Sequence, residues 1–251
     1  MTTDELFRAI HEHHGDGEWG AVLDAGTGAH SLTWVSALPA RSWKAVTADP
    51  AQAAALRKAF CAAGGHGAVE SGSWEDPELL SGEVFDVVLA DYLLGAMDHC
   101  SPYFQDQIFT RLRPCVGGVL YVVGLEPFGR FPDSPGRELL AQIVAARDAA
   151  FTIAGERPYR EYPKEWVERQ LLGAGYEIEL SQTFKNVYRD EFVRTQLNVA
   201  AAQLQYVPSS ALRMALHSHL EGLGERAASN PELQDGVRWG TDYVIAARVR
   251  P

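Results

Sequence analysis

Short apolar runs rich in β-branched residues alternate along most of this chain with longer stretches of helical spacing. The runs at 21–26 (AVLDAG), 43–48 (WKAVTA), 67–71, 85–90 (FDVVLA), 118–125 (GVLYVVGL), 176–184 (YEIELSQTF) and 242–249 (DYVIAARV) read as seven strands. Strands separated by helices predict a mostly parallel sheet with helices on both faces, because parallel neighbours need crossover connections. The helices are expected at 3–13, from near Ser31 to Pro39, and from Pro50 to about Ala63, with Asp49 as cap and Gly64-Gly65 as the break. Ser101 and Pro102 give a start signal for one over 101–112, with Tyr103, Phe104, Ile108, Phe109 and Leu112 on one face. After the fifth strand the simple alternation stops. A long helix at 136–154, another at 164–172, and two more within 189–230 complete the pattern. No repeat, low-complexity tract or Gly/Ser linker separates these additions, so the chain reads as one domain, 1–251, with helical lid insertions at about 133–160 and 189–235.

With 251 residues, 46% of them apolar, the chain can bury a sizeable core, which excludes disorder as its main state. Lys and Arg total 22 and Asp and Glu 33, a net charge of −11. That balance repels phosphate backbones, and no basic run is present, so no nucleic-acid partner is expected. No run approaches the ~18 apolar residues of a membrane span, and residues 1–14 have neither a basic n-region nor an apolar h-region. The expectation is a cytoplasmic protein with no membrane partner. Cys61, Cys100 and Cys115 are widely spaced, with no C-x-x-C, and read as reduced thiols. His11, His13, His14, His217 and His219 fall at spacings that do not present two imidazoles to one metal, and read as surface residues.

The chemistry is concentrated at Val22 to His30, VLDAGTGAH, where a strand meets a helix. Glycines there let a ligand approach the backbone at a helix N-terminus. A dinucleotide fingerprint would want glycine at Ser31 and no carboxylate at Asp24 beside a pyrophosphate, so NAD and FAD are disfavoured. Asp24 suits a positively charged ligand instead. Asp49, at the end of the second strand, can accept hydrogen bonds from ribose hydroxyls. Each residue also has a plainer reading, with Asp24 as a turn residue, Asp49 as a cap and Trp74 as core; it is their coincidence in one pattern that points to a ligand.

That pattern resembles the class I S-adenosylmethionine-dependent methyltransferases, whose first motif is D/E-x-G-x-G-x-G on a Rossmann-like, seven-stranded, doubly wound sheet. The similarity covers about 16–126, 164–184 and 240–250, and LRPCVGGVLYVVG, Leu112 to Gly124, looks like the family's L-x-P-G-G-x-L segment. His30 stands at the family's third glycine. The resemblance implies S-adenosylmethionine as cofactor and S-adenosylhomocysteine as product, with Asp24, Gly26 and Gly28 on the methionine portion and Asp49 on the ribose. Ser73 and Trp74 would flank the adenine, and Asp91 and Tyr92 would lie beside the methyl group. It also implies that the inserted helices cover a small substrate.

Ligands in open α/β sheets lie beyond the carboxyl ends of the strands. Tyr92, Glu126 and His30 are the proton-accepting types within reach there. Tyr159, Arg160 and Tyr162, in RPYREYP, can line an acceptor pocket, with Arg160 able to pair a carboxylate; the same segment also reads as an exposed turn. Asp91 and Glu126 end adjacent strands, but the family's Asp-Asn metal pair is missing, so no metal is expected. The function implied is methyl transfer to an oxygen or nitrogen of a small acceptor. The alternatives are a catalytically silent cofactor-binding partner subunit and a protein or peptide methyltransferase. The helices at 189–230 serve a lid or a homodimer equally well.

Overall fold

The computed structural model describes residues 5–61, 66–129 and 132–250. They form two compact units. Unit one comprises residues 1–126, 160–184 and 242–251, and unit two residues 127–159 and 185–241.

Unit one is built on a seven-stranded sheet in the order β3-β2-β1-β4-β5-β7-β6. Its strands are β1 (Ala21–Asp24), β2 (Ser42–Thr47), β3 (Gly67–Ser71), β4 (Phe85–Asp91), β5 (Val116–Leu125), β6 (Tyr176–Tyr188) and β7 (Val237–Val249). β1 pairs in parallel with β2 and β4, β2 with β3, and β4 with β5, while β7 runs antiparallel to β5.

Both faces of the central strands are dry, which is why they read as apolar runs rather than as alternating ones. Strand alternation sends Val22, Val87, Leu89, Val119, Tyr121 and Val123 to one face and Leu23, Val88, Ala90, Leu120 and Val122 to the other. The first face is covered by α1 (Glu5–His14), α2 (Ala29–Ser36) and α3 (Pro50–Phe60) through residues such as Ile10, Leu32 and Leu56. The second is covered by α4 (Leu93–Cys100), α5 (Ile108–Leu112) and α7 (Lys164–Gly173) through Met97, Phe109 and Leu171.

Unit two contains α6 (Pro135–Ala154), α8 (Asp190–Gln203), α9 (Ser210–Ala228) and α10 (Pro231–Asp235). Its own core is formed by Leu140, Ile143, Ala200, Leu204, Leu223 and Leu233, among others.

The structure differs from the sequence reading at identifiable places. The helix expected over 101–112 is not continuous. A helix precedes Ser101 instead, Tyr103 sits at φ +74° with 78% of its surface exposed, and helix resumes only at Ile108. A left-handed residue cannot continue a right-handed helix, so the Ser-Pro signal starts a turn here. The two helices expected within 189–230 are present as α8 and α9, and beyond that range Asn230 and Pro231 start a further short helix, α10. The histidines of α1 are not all surface residues. The His14 ring stacks on buried Trp19 at 3.9 Å, and His13 Nδ1 lies 3.0 Å from the Tyr121 hydroxyl on β5. Ala63 and the Gly64-Gly65 break lie outside the described residues, as do positions 3 and 4 of the first helix.

Candidate functional site

The strand order reverses direction between β1 and β4, and the crevice beyond their carboxyl ends is where a sheet of this kind accepts ligands. β1 ends on Asp24, β2 runs out to Asp49 and β4 ends on Asp91, so the three acids announced by the sequence sit at neighbouring strand ends.

Asp24 is fully buried. The Ser31 hydroxyl donates to its Oδ2 at 2.7 Å, while Oδ1 has no hydrogen bond of ordinary geometry. Burial pushes the carboxyl up to about 6, against the opposing pull of the nearby Thr27 and Ser31 side chains and the Gly26 amide. A buried carboxylate oxygen with no donor is costly unless a partner, above all a cationic one, completes it.

The loop after Asp24 is pinned at alternate residues. Ala25 N–H donates to the Leu89 carbonyl and Thr27 N–H to the Val46 carbonyl, each at 2.8 Å, which ties the loop to β4 and β2 together. The two glycines then do different jobs. A Cβ at Gly26 would lie 2.7 Å from Leu93 Cδ1, so Gly26 admits the packing of α4. A Cβ at Gly28 would meet no heavy atom within 4 Å, and Gly28 has an ordinary extended φ of −123°. Its bareness therefore serves neither packing nor backbone strain; it leaves open space against the first turn of α2, where N–H groups and the helix dipole are available.

Asp49 is exposed and caps α3, its Oδ1 accepting from Ala51 N–H at 2.8 Å. The carboxylate is thus a cap whether or not it also meets a ligand. Asp49→Ala would remove the cap, whereas Asp49→Ser keeps a capping oxygen. The serine variant is expected to melt within about 0.5 kcal/mol of the parent yet lose about 1 to 3 kcal/mol of affinity for a ribose-bearing ligand. Thermal melts alongside calorimetry check this, and unchanged affinity in the serine variant would leave Asp49 as a cap alone.

The residues after β3 and β4 are more constrained than the sequence indicated. The Ser73 hydroxyl accepts from Glu75 N–H at 3.2 Å and lies 3.3 Å from that of Ser101. Trp74 is only 5% exposed and its Nε1–H donates to the Ala25 carbonyl at 2.7 Å. The indole thereby supports the glycine loop from within the core. Tyr92 is held at φ +47°, its N–H donating to the Val123 carbonyl at 3.0 Å, and it opens α4. A bulky residue in the left-handed region costs of order 1–3 kcal/mol, a strain that concentrates at sites where direction matters.

The remaining candidates are drawn into other contacts. His30 lies in the first turn of α2 and its ring stacks on Phe7 at 5.2 Å. Glu126 Oε1 accepts from Lys164 N–H at 2.9 Å and so caps α7 from the end of β5. Arg160 is not a free carboxylate binder, because its Nε lies 3.3 Å from Oδ2 of the buried Asp98 on α4. Tyr162 packs on Trp166 with ring centres 4.7 Å apart and accepts at its carbonyl from the Tyr243 hydroxyl. Tyr159 is 56% exposed and belongs to unit two. The structure therefore brings Asp24, Gly26, Gly28, Asp49, Asp91 and Tyr92 to one end of the sheet.

Two residues behind the site had gone unrecognised. Asp98 also accepts from Gln105 Nε2 at 3.3 Å, and Arg111 lies with its guanidinium carbon 5.5 Å from the centre of the Trp74 ring. A lone acid four residues after Leu94, on the same helical face as that buried residue, was the available signal for Asp98.

No protein-family model matches the chain, and no curated protein matches it in sequence. Solved structures do. A candidate methyltransferase of Bacillus halodurans superposes with a TM-score of 0.63 at 15% identity, over 98% of this chain and 99% of that one. A candidate sarcosine dimethylglycine methyltransferase of Galdieria sulphuraria gives 0.54 at 14% identity, over 98% and 84%. A mycolic acid cyclopropane synthase crystallised with S-adenosylhomocysteine gives 0.54 at 14%, over 92% and 78%. The fold is that of the class I S-adenosylmethionine-dependent methyltransferases.

Proposed function

We propose that this chain binds S-adenosylmethionine at the β1–β4 switch point and transfers its methyl group to an oxygen or nitrogen of a small acceptor. The observation that carries the proposal is the buried Asp24 oxygen without a donor, next to a glycine loop whose Gly28 faces open space. The fit is chemical. Asp24 would take the ammonium group, the bare backbone at Gly28 the methionine portion, and Asp49 the ribose hydroxyls.

When bound, the cofactor supplies a sulfonium methyl open to in-line displacement. The chain's own work is alignment and exclusion of water, which favours a step in which charge is neutralised. Of the three proton-accepting candidates, Glu126 caps α7 and His30 stacks on Phe7, and Tyr92 stands at the strained turn directly after β4, which is the position from which to orient the acceptor's nucleophile.

Calorimetry with S-adenosylhomocysteine across pH tests the cofactor half. The ionised carboxylate is the binding form, so affinity is expected to fall by up to tenfold per unit below about 6, the point to which burial raises Asp24. It is expected to fall again at alkaline pH, where the ligand's own α-amino group loses its proton. Flat affinity through pH 6 would remove Asp24 as the seat of a cation. Turnover on a panel of small hydroxyl and amine acceptors tests the other half. Binding with no turnover on any of them would favour a silent partner subunit.

A further inference from the structure

We infer that Arg111, which lies outside the site, is a positioning residue for the glycine loop, acting through Trp74. The inference rests on the reading that this loop holds S-adenosylmethionine.

The contacts form an unbroken series. Arg111 is the fourth residue of the short helix α5, whose Ile108, Phe109 and Leu112 are buried. Its Nη2 reaches across to the turn after β3 and donates to the carbonyls of Leu79 at 2.5 Å and Asp76 at 2.9 Å, with that of Pro77 at 3.4 Å. The same guanidinium stands over the Trp74 ring. Trp74 then donates its one N–H to the carbonyl of Ala25, the residue before Gly26.

Each link does something the next requires. Three carbonyls converging from one short turn repel one another unless a donor sits among them, and the two N–H groups of Arg111 Nη2 fill that place. Holding that turn also fixes the indole, on which the cation rests. Fixing the indole fixes the Ala25 carbonyl, for which a buried turn offers no water as substitute. The loop's other anchors are Ala25 to Leu89, Thr27 to Val46 and Gly28 N–H to Ser31 Oγ at 3.1 Å, so a turn of that carbonyl is taken up at Gly26, between the first two. A ligand that binds on bare backbone is sensitive to such small displacements, so Arg111 tunes donor affinity without touching the donor.

The test uses Arg111→Met, which keeps an apolar stem of similar reach, Trp74→Phe, which removes only the indole and its N–H, and the double variant. In the unliganded proteins, hydrogen exchange at the Gly26, Thr27 and Gly28 amides is expected to quicken at least fivefold in each. S-adenosylhomocysteine affinity is expected to fall about tenfold in each single variant. The double variant should bind within twofold of the weaker single, because both changes cut one series. Arg111→Lys, which retains a cation over the ring and one donor, should fall in between, and it carries the test if the methionine variant does not fold. Unchanged affinity and exchange in a folded variant would overturn the inference. So would a roughly hundredfold, additive loss in the double variant, which would mean two independent effects on the fold. If the wild-type chain does not bind S-adenosylhomocysteine, the functional reading fails. The exchange measurement then still reports whether Arg111 governs the loop.

Discussion

Replacing Asp24 by Asn is expected to change how the ligand-free protein responds to pH, with a shift in relative stability of about 3 kcal/mol between pH 4 and pH 7. Burial raises this carboxyl from the usual 3.8 to about 6, and each pH unit of such a difference is worth about 1.4 kcal/mol. Because the folded form keeps the proton to higher pH than the unfolded chain, the group's favourable contribution is complete below about 4. It is lost as the pH rises through about 6. Asparagine does not titrate. Its stability relative to the parent should therefore climb over that window and level off above it, whatever its absolute value at either end. For a chain of this size the change corresponds to about 6 to 12 °C in the difference between the two melting temperatures. Other carboxylates titrate equally in both proteins and cancel. A difference that stays constant from pH 4 to pH 7 would show that Asp24 is ionised in the folded state at no cost.

The same substitution should weaken S-adenosylhomocysteine by one to two orders of magnitude, since a hydrogen bond to a charged partner is worth about 1.5 to 3 kcal/mol. The two effects have opposite signs above pH 6, because the ionised acid costs the empty fold what it gives the ligand. On the proposed function, an acid at such a position is explained by its ligand rather than by the stability of the chain.

The central strands β4 and β5 were readable because both faces of the sheet are buried there, so each is a compact apolar run, whereas the mostly exposed β6 runs past 184 to Tyr188 and β7 begins at Val237, before 242. Asp49 and Asp91 were readable because they stand where such runs stop, while Asp24 closes β1 two residues inside the run read as 21–26. What the sequence concealed is which partner claims each side chain. Trp74 and Ala25 are 49 positions apart, and Glu126 and Lys164 are 38 apart. No local pattern says that an indole will be spent on a loop carbonyl or a carboxylate on a helix end. Helix α4 was concealed by its own composition. LLGAMDHC carries a glycine in its interior, which lowers helix propensity, and it follows β4 with no polar turn between. The reason for that glycine is tertiary, as a Cβ at Gly95 would lie 3.1 Å from the Arg160 carbonyl. Ser101-Pro102 misled in the opposite sense, since a helix-start signal and a turn signal share these residues and only the backbone at Tyr103 separates them.

The two loop glycines look interchangeable in sequence, and the structure separates them into an expected pair of opposite outcomes. Gly28→Leu should fold as well as the parent, within about 0.5 kcal/mol, because its φ suits any residue and nothing stands within 4 Å of the new Cβ. It should nonetheless abolish S-adenosylhomocysteine binding, a loss of at least about a hundredfold, since the leucine fills the space the ligand needs against α2 and forces out contacts worth several kcal/mol. Gly26→Ala should do the reverse. Its methyl would enter at 2.7 Å from Leu93 Cδ1 and 3.2 Å from Leu93 Cβ, so α4 must shift or the leucine must leave its rotamer. Overpacking of this kind costs about 1 to 3 kcal/mol of stability. Affinity should suffer only as far as the loop moves with the helix. Melting curves and calorimetry on the two variants decide the matter. A Gly28→Leu protein that is fully folded and still binds S-adenosylhomocysteine at parental affinity would mean that the open space beside the loop is not where the ligand lies, and the site would have to be sought at another strand end.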